Sequence, residues 1–253
     1  MNPRGTFTLF NKEIQRAREV WLQTILAPVI SNILFLMVFG VALSGERTPF
    51  PGVNFLSFLI PGLAAMGAMS NSIQNPMSSL IIAKYTNNIQ EILMIPLRGF
   101  ELCLAYVGAG IVRGTLVAVV TVLVGMFFTR VPFAHPLLVI VFMLLLGGIF
   151  SSVGAVIGIA AKEFDDAAIV PTFILTPLMY LGGVFYSIQS LPGLFARASK
   201  FNPIFYMIDG FRYAFLGHSE TTLALSLGIT LAAFIITFGI ASWMFQTGYR
   251  LKT

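Results

Sequence analysis

Apolar residues in this chain are gathered into long runs separated by short polar stretches. The runs cover residues 22–43, 55 to about 79, 102–128, 136–161, 167–185 and 223–245. A helix needs ~20 apolar residues to cross a hydrocarbon core, so the pattern predicts an all-α integral membrane protein with six transmembrane helices. The first run is too long for the core of a cleavable leader, and none is expected. Ahead of it, Phe7, Phe10, Ile14, Ala17 and Trp21 recur at helical spacing, while Lys12, Arg16, Arg18 and Glu19 fall elsewhere on the wheel. That predicts an N-terminal interfacial helix over residues 1–21, with Trp21 at headgroup depth. A solvated helix packed on a partner protein is the other reading of the same pattern.

Two connecting segments are not plain loops. Residues 187–220 hold seven aromatics (Phe195, Phe201, Phe205, Tyr206, Phe211, Tyr213 and Phe215), interrupted at Pro192 and Pro203. This composition fits short helices dipping back into the membrane, a re-entrant outer hairpin before the last span, because irregular backbone survives there only under cover. Residues 84–98 mix polar Tyr85, Thr86, Asn87 and Asn88 with Ile89, Ile92, Leu93 and Ile95 and stop at Pro96. They predict a short amphipathic helix with one apolar edge. The whole chain, 1–253, is read as one membrane domain: interfacial helix 1–21, spans one to five within 22–185, the outer segment 186–222, and the last span 223–245.

Composition narrows function. Only 10% of the 253 residues are charged, against about 25% in soluble domains, and mean hydropathy is +0.88. No length remains for a separate catalytic domain. The net charge of +5 follows the bias of Lys and Arg toward inner loops rather than a nucleic-acid partner. With both termini in the cytoplasm, the inner segments carry Arg4, Lys12, Arg16, Arg18, Lys84, Arg98, Lys162, Arg250 and Lys252, and the outer loops only Arg47, Arg130, Arg197, Lys200 and Arg212. Arg113 is left inside the third span.

Few residues offer chemistry. There is no Gly-rich Lys loop to cradle a phosphate. Cys103 has no partner cysteine and lies in an apolar run, as a small buried hydrophobe does. His135 and His218 fall in different outer loops, and Asp165 and Asp166 precede an apolar helix, where N-capping accounts for them. No metal site, cofactor or catalytic residue is expected, and the chain reads as a transporter rather than an enzyme. Gly108 and Gly110 in the third span, and Gly147, Ser151, Gly154, Ala155 and Gly158 in the fourth, read as surfaces for close helix approach. Two polar features inside spans carry more. Ser70, Gln74 and Ser78, with Asn71 and Asn75 one step around, form a stripe on the second span that lipid would penalise. It faces another helix, a second subunit or an aqueous path. Arg113 either snorkels to the interface or meets a second helix. No span holds the acidic or histidine cluster of a proton-coupled pump, so energy is expected from a partner.

The stretch Leu178, Leu181-Gly182-Gly183-Val184, Leu191-Pro192, Pro203-Ile204, Tyr206 and Arg212 resembles the signature of the ABC-2 family, the membrane subunits of one class of ABC exporter. Gln90-Glu91-Ile92-Leu93, with Pro96 and Glu101, is similar to that family's cytoplasmic segment, although Tyr85 to Ile89 lacks the strong charge usual before it. The resemblance implies a permease in the bacterial cytoplasmic (inner) membrane that forms a homodimer and binds two copies of a separate ATPase subunit. Ile89, Glu91, Ile92, Leu93 and Pro96 then form the expected ATPase-coupling segment. Ser70, Asn71, Gln74, Asn75, Ser78 and Arg113 are candidates for the path or the dimer interface. Two other classes compete: a carrier or channel independent of an ATPase, and a membrane scaffold without transport of its own.

Overall fold

The computed structural model describes residues 2–20, 22–43, 50, 52–86 and 88–250. Within these, the side chains of residues 23, 25, 41–43, 92 and 93 stand outside the description. The described chain is helical with no strand. Five helices are long and apolar enough to cross a membrane: α3 (Phe55–Tyr85), α5 (Gly99–Gly125), α6 (Pro136–Ala160), the compound helix Phe164–Leu181, and α11 (Leu223–Thr247). The first predicted span is α2 (Ala27–Leu43) preceded by a π-helical turn, Leu22–Leu26. Asn32 Nδ2 on α2 donates to Thr121 Oγ1 on α5 at 2.8 Å, a polar pair inside an otherwise apolar contact.

Several boundaries differ from those expected, each for a local reason. α3 runs past residue 79 to Tyr85, where Lys84 Nζ donates to the carbonyls of Ile159 and Ala161 at the end of α6. α5 begins at Gly99 rather than 102, because the Glu101 carboxylate accepts the Arg98 N–H at 2.8 Å and closes the first turn. It ends at Gly125, three residues early, in a turn that carries Phe127 and Phe128. The fifth span starts at Phe164 and ends at Leu181. It comprises α7 (Phe164–Ile169), a π-helical stretch Val170–Leu175, and α8 (Thr176–Leu181). Pro171 has no N–H to give the ladder, and its own carbonyl accepts both the backbone N–H and the hydroxyl of Thr176, five residues on, as in a π-helical turn. Asp165 and Asp166 are not N-caps: Glu163 occupies that position, and Asp166 accepts the Lys162 N–H at 3.3 Å.

α3 is the hub, buried along most of its length between α5 and α6. The expected glycine ridges make this possible. A Cβ on Gly154 would collide with the Ile73 carbonyl, and one on Gly110 with Ser151 Oγ. Cys103 is fully buried. The compound helix and α11 lie outside the hub and expose wide apolar faces, among them Phe173, Ile174, Ile235, Ile236 and Trp243.

α1 (Pro3–Glu19) packs on the bundle through positions other than the predicted apolar stripe. Its buried positions are Leu9 and Glu13, whereas Phe7 of the expected apolar stripe is 62% exposed. Asn2 sits at the start of α5, its N–H donated to Glu101 Oε1, and Arg16 reaches α3. The helix therefore crosses from α5 to α3 with a partly polar inward face and turns Phe7 outward. Trp21 lies outside the described residues.

Candidate functional site

Residues 182–216 draw the signature positions into one knot. Gly183 takes φ +80°, a left-handed turn open to glycine. Gly182 packs under Ile204 and Ile208 of α10 (Pro203–Leu216). Arg212 on α10 is fully buried: it donates to the Gly183 carbonyl at 2.7 Å, and its guanidinium lies 3.7 Å from the centre of the Phe58 ring. Pro192 precedes α9 (Gly193–Phe201), Leu191 is half-buried beside it, and Pro203 opens α10. Tyr206 Oη donates to the Lys200 carbonyl at 2.9 Å, which ties α10 back to α9. The signature thus folds the segment and presents no reactive group.

Three residues that the sequence did not single out complete the knot. Asp209, wholly buried, accepts the Glu220 and Thr221 N–H groups and the Thr221 hydroxyl. Glu220 accepts the N–H groups of Ile188 and Gln189. Asn202 caps α10 by accepting the Ile204 N–H, and its amide donates to the Leu178 carbonyl at 2.6 Å. The available signal was the placement of Asp209 three residues before Arg212 in a run of apolar and aromatic residues.

The polar stripe of α3 divides between two settings. Its inner part meets α1: Arg16 donates to the Asn75 carbonyl at 2.6 Å and to Ser78 Oγ at 3.2 Å. Arg16 also pairs with Glu13 at 3.3 Å, and Glu13 accepts the Ser79 hydroxyl at 2.8 Å. Asn71 is buried and bonds back to the Gly67 carbonyl of its own helix. Ser70 is half-buried against Met179 of α8. Gln74, in contrast, is exposed on the flank of a long apolar helix. Arg113 is buried on α5 and within electrostatic reach of Arg16, and none of the described residues accepts a hydrogen bond from it.

The segment between the second and third spans forms α4 (Ile89–Met94). Ile89 is buried in the core where α1, α3 and α5 meet. The apolar edge expected to be free is therefore anchored inward at its first residue, while Glu91, Met94 and Pro96 are exposed. The side chains of Ile92 and Leu93 lie outside the described residues. Among the described residues no three His, Cys, Asp or Glu side chains converge as a metal site would require.

Residues 4–216 match the ABC-2 type transporter family. The chain is 39% identical to the inner membrane transport permease YadH of Escherichia coli strain K12 over 249 residues, covering 97% of this chain and 96% of that one. It is also 22% identical to nodulation protein J of Rhizobium leguminosarum bv. viciae over 240 residues, 88% of each chain.

Proposed function

Because this chain belongs to the ABC-2 type transporter family, and its long apolar helices make it a multi-pass membrane subunit of an ABC transporter, we propose that two copies form the substrate path of a bacterial exporter driven by two copies of a separate ATPase. The observation that carries this reading is α4. The chain has no phosphate cradle, so the energy of ATP must enter through a protein contact. α4 is a short helix fixed to the bundle through Ile89, with Glu91, Met94 and Pro96 turned outward and the backbones of Ile92 and Leu93 between them. A push on such a helix passes directly into α3 and α5, which it joins.

The remaining parts of the reading have separate support. Six spans follow if residues 22–43 cross with the other five, and α2 with its π-helical turn is roughly 33 Å long. Cytoplasmic termini agree with the crowding of Lys84, Lys162 and Arg250 around one end of α6, and the YadH name, an inner membrane permease, supports placement in that membrane. A re-entrant outer hairpin is supported by depth: a Cβ on Gly62, about 10 Å inside α3, would lie 2.7 Å from the Val184 carbonyl. Exposed Gln74 in mid-span is the group most in need of a second subunit or a watered path.

The test is a double variant, Glu91→Arg with Leu93→Asp. Membrane insertion and dimerisation should persist, while co-purification of the ATPase, or its stimulation by substrate, is lost. Parental transport by the double variant would remove α4 from the coupling role.

A further inference from the structure

The inner end of α6 carries a cavity of about 640 Å³ that the transport reading leaves unused. Its volume falls within the ~300–1,000 Å³ of ordinary ligand sites. The walls are apolar: Val153, Val156, Ile157 and Ala160 lie along one face of α6, with Val170 of the fifth span opposite. From Val153 to Ala160 the groove runs roughly 10 Å along the helix. Its rim is cationic. Lys162 and Arg250 both line the cavity, and the exposed Arg250 guanidinium donates one N–H, from Nη1, to the Ala160 carbonyl at 2.9 Å, its only hydrogen bond among the described residues. Lys84 stands beside them, capping the last carbonyls of α6.

One carboxylate, Asp166, also lines the cavity, but it is turned to the Lys162 N–H. Counting it, the rim still keeps an excess of positive charge beside an apolar slot. That pairing matches a molecule with an anionic head and a hydrocarbon tail. We propose that this groove is a binding site for an acidic phospholipid of the inner leaflet, its phosphate held by Lys162 and Arg250 and the upper part of one acyl chain lying along Val153, Val156 and Ala160. The placement in the inner leaflet rests on the topology proposed above, whereas the binding chemistry does not.

The seat has a mechanical consequence. The lipid would add to the apolar contacts that Ile157 and Ala161 make with Ala167, and those that Ala155 and Ile159 make with Ala241 and Met244, at the joint of α6, the fifth span and α11. Its occupancy would hold the fifth span against α6.

The test uses the purified full chain, with bound lipid counted by native mass spectrometry after addition of phosphatidylglycerol or phosphatidylcholine. Detergent exposes both ends of the molecule, so a wrong topology would not hide the site. The parental chain should retain phosphatidylglycerol in preference to phosphatidylcholine. Lys162→Gln and Arg250→Gln should each lower that preference roughly fivefold, as expected for one surface cation facing an anionic lipid. Val156→Trp fills the slot without altering charge and should reduce retention of both lipids. A phosphatidylglycerol preference unchanged in the Lys162→Gln, Arg250→Gln double variant would overturn the proposal. So would inorganic phosphate displacing the lipid completely, because the slot would then contribute nothing.

Discussion

Arg212 shows how one residue organises the segment before the last span. Its guanidinium spans three partners at once: the Gly183 carbonyl, the Phe58 ring and the field of Asp209 and Glu220. Replacing it with Met leaves the buried Gly183 carbonyl without its charged donor, and such an unsatisfied group typically costs about 1–3 kcal/mol. Arg212→Met should therefore lower the melting temperature in detergent and open residues 182–202 to protease. Arg212→Lys keeps the charge but loses the planar stack on Phe58, an expected loss of about 1–2 kcal/mol. Glu220 gives a pH signature at the same place. Burial pushes its carboxyl above the ordinary 4.5, with the Arg212 guanidinium pulling the other way. The native protein then holds that proton more tightly than the unfolded chain does. The stability it contributes is full below the ordinary value and is lost as pH rises through the raised one. Compared with Glu220→Gln, which mimics the protonated form, the parental chain should lose relative melting temperature as the pH is raised. A difference that grows in favour of the parental chain would mean that the carboxylate is the form the fold prefers.

Among the elements, α1 and α3 mark the boundary between what the sequence revealed and what it hid. Long helices were legible because hydrocarbon demands unbroken apolar runs, and α6 and α11 begin at the expected residues. The inward face of α1 was hidden. The helical wheel marks the apolar stripe that an interfacial helix turns to the membrane, but not the positions that meet the bundle, where Glu13 is buried. A carboxylate tolerates burial only with its partners in place, and these are Arg16 one turn along and Ser79 on a helix 66 residues away. The stripe on α3 was visible as a stripe, but its division was not, because that depends on where α1 lands. Two variants separate the parts. Glu13→Ala leaves the Ser79 hydroxyl and the partly exposed Arg16 without their carboxylate and should cost about 1–2 kcal/mol while freeing α1 to protease. Gln74→Leu replaces an exposed side chain and should leave the melting temperature nearly unchanged, within about 0.5 kcal/mol of stability, while reducing transport or dimer recovery. Full transport by Gln74→Leu would assign that residue to lipid.

Across the whole molecule, the tight hub of α3, α5 and α6 contrasts with the sparsely packed fifth span and α11. In a membrane those outer helices meet lipid or a second copy, and the structure of one chain leaves both with wide apolar faces. The fold class was legible at this scale, and the signature segment carried the family. The knot built by Asp209, Glu220 and Asn202 was not legible, because its bonds join positions 11 to 32 residues apart across turns that only the folded chain brings together. On the proposed function the molecule is a transmission: the knot of residues 182–216, a rigid hub, and α4 where force enters. Purification of the affinity-tagged chain from its native membrane tests this most directly, with the mass and composition of the complex measured. Two copies of this chain with two copies of a nucleotide-binding ATPase are expected, with loss of the ATPase alone when Glu91→Arg and Leu93→Asp are introduced. A parental complex that transports yet contains no ATPase would contradict this expectation.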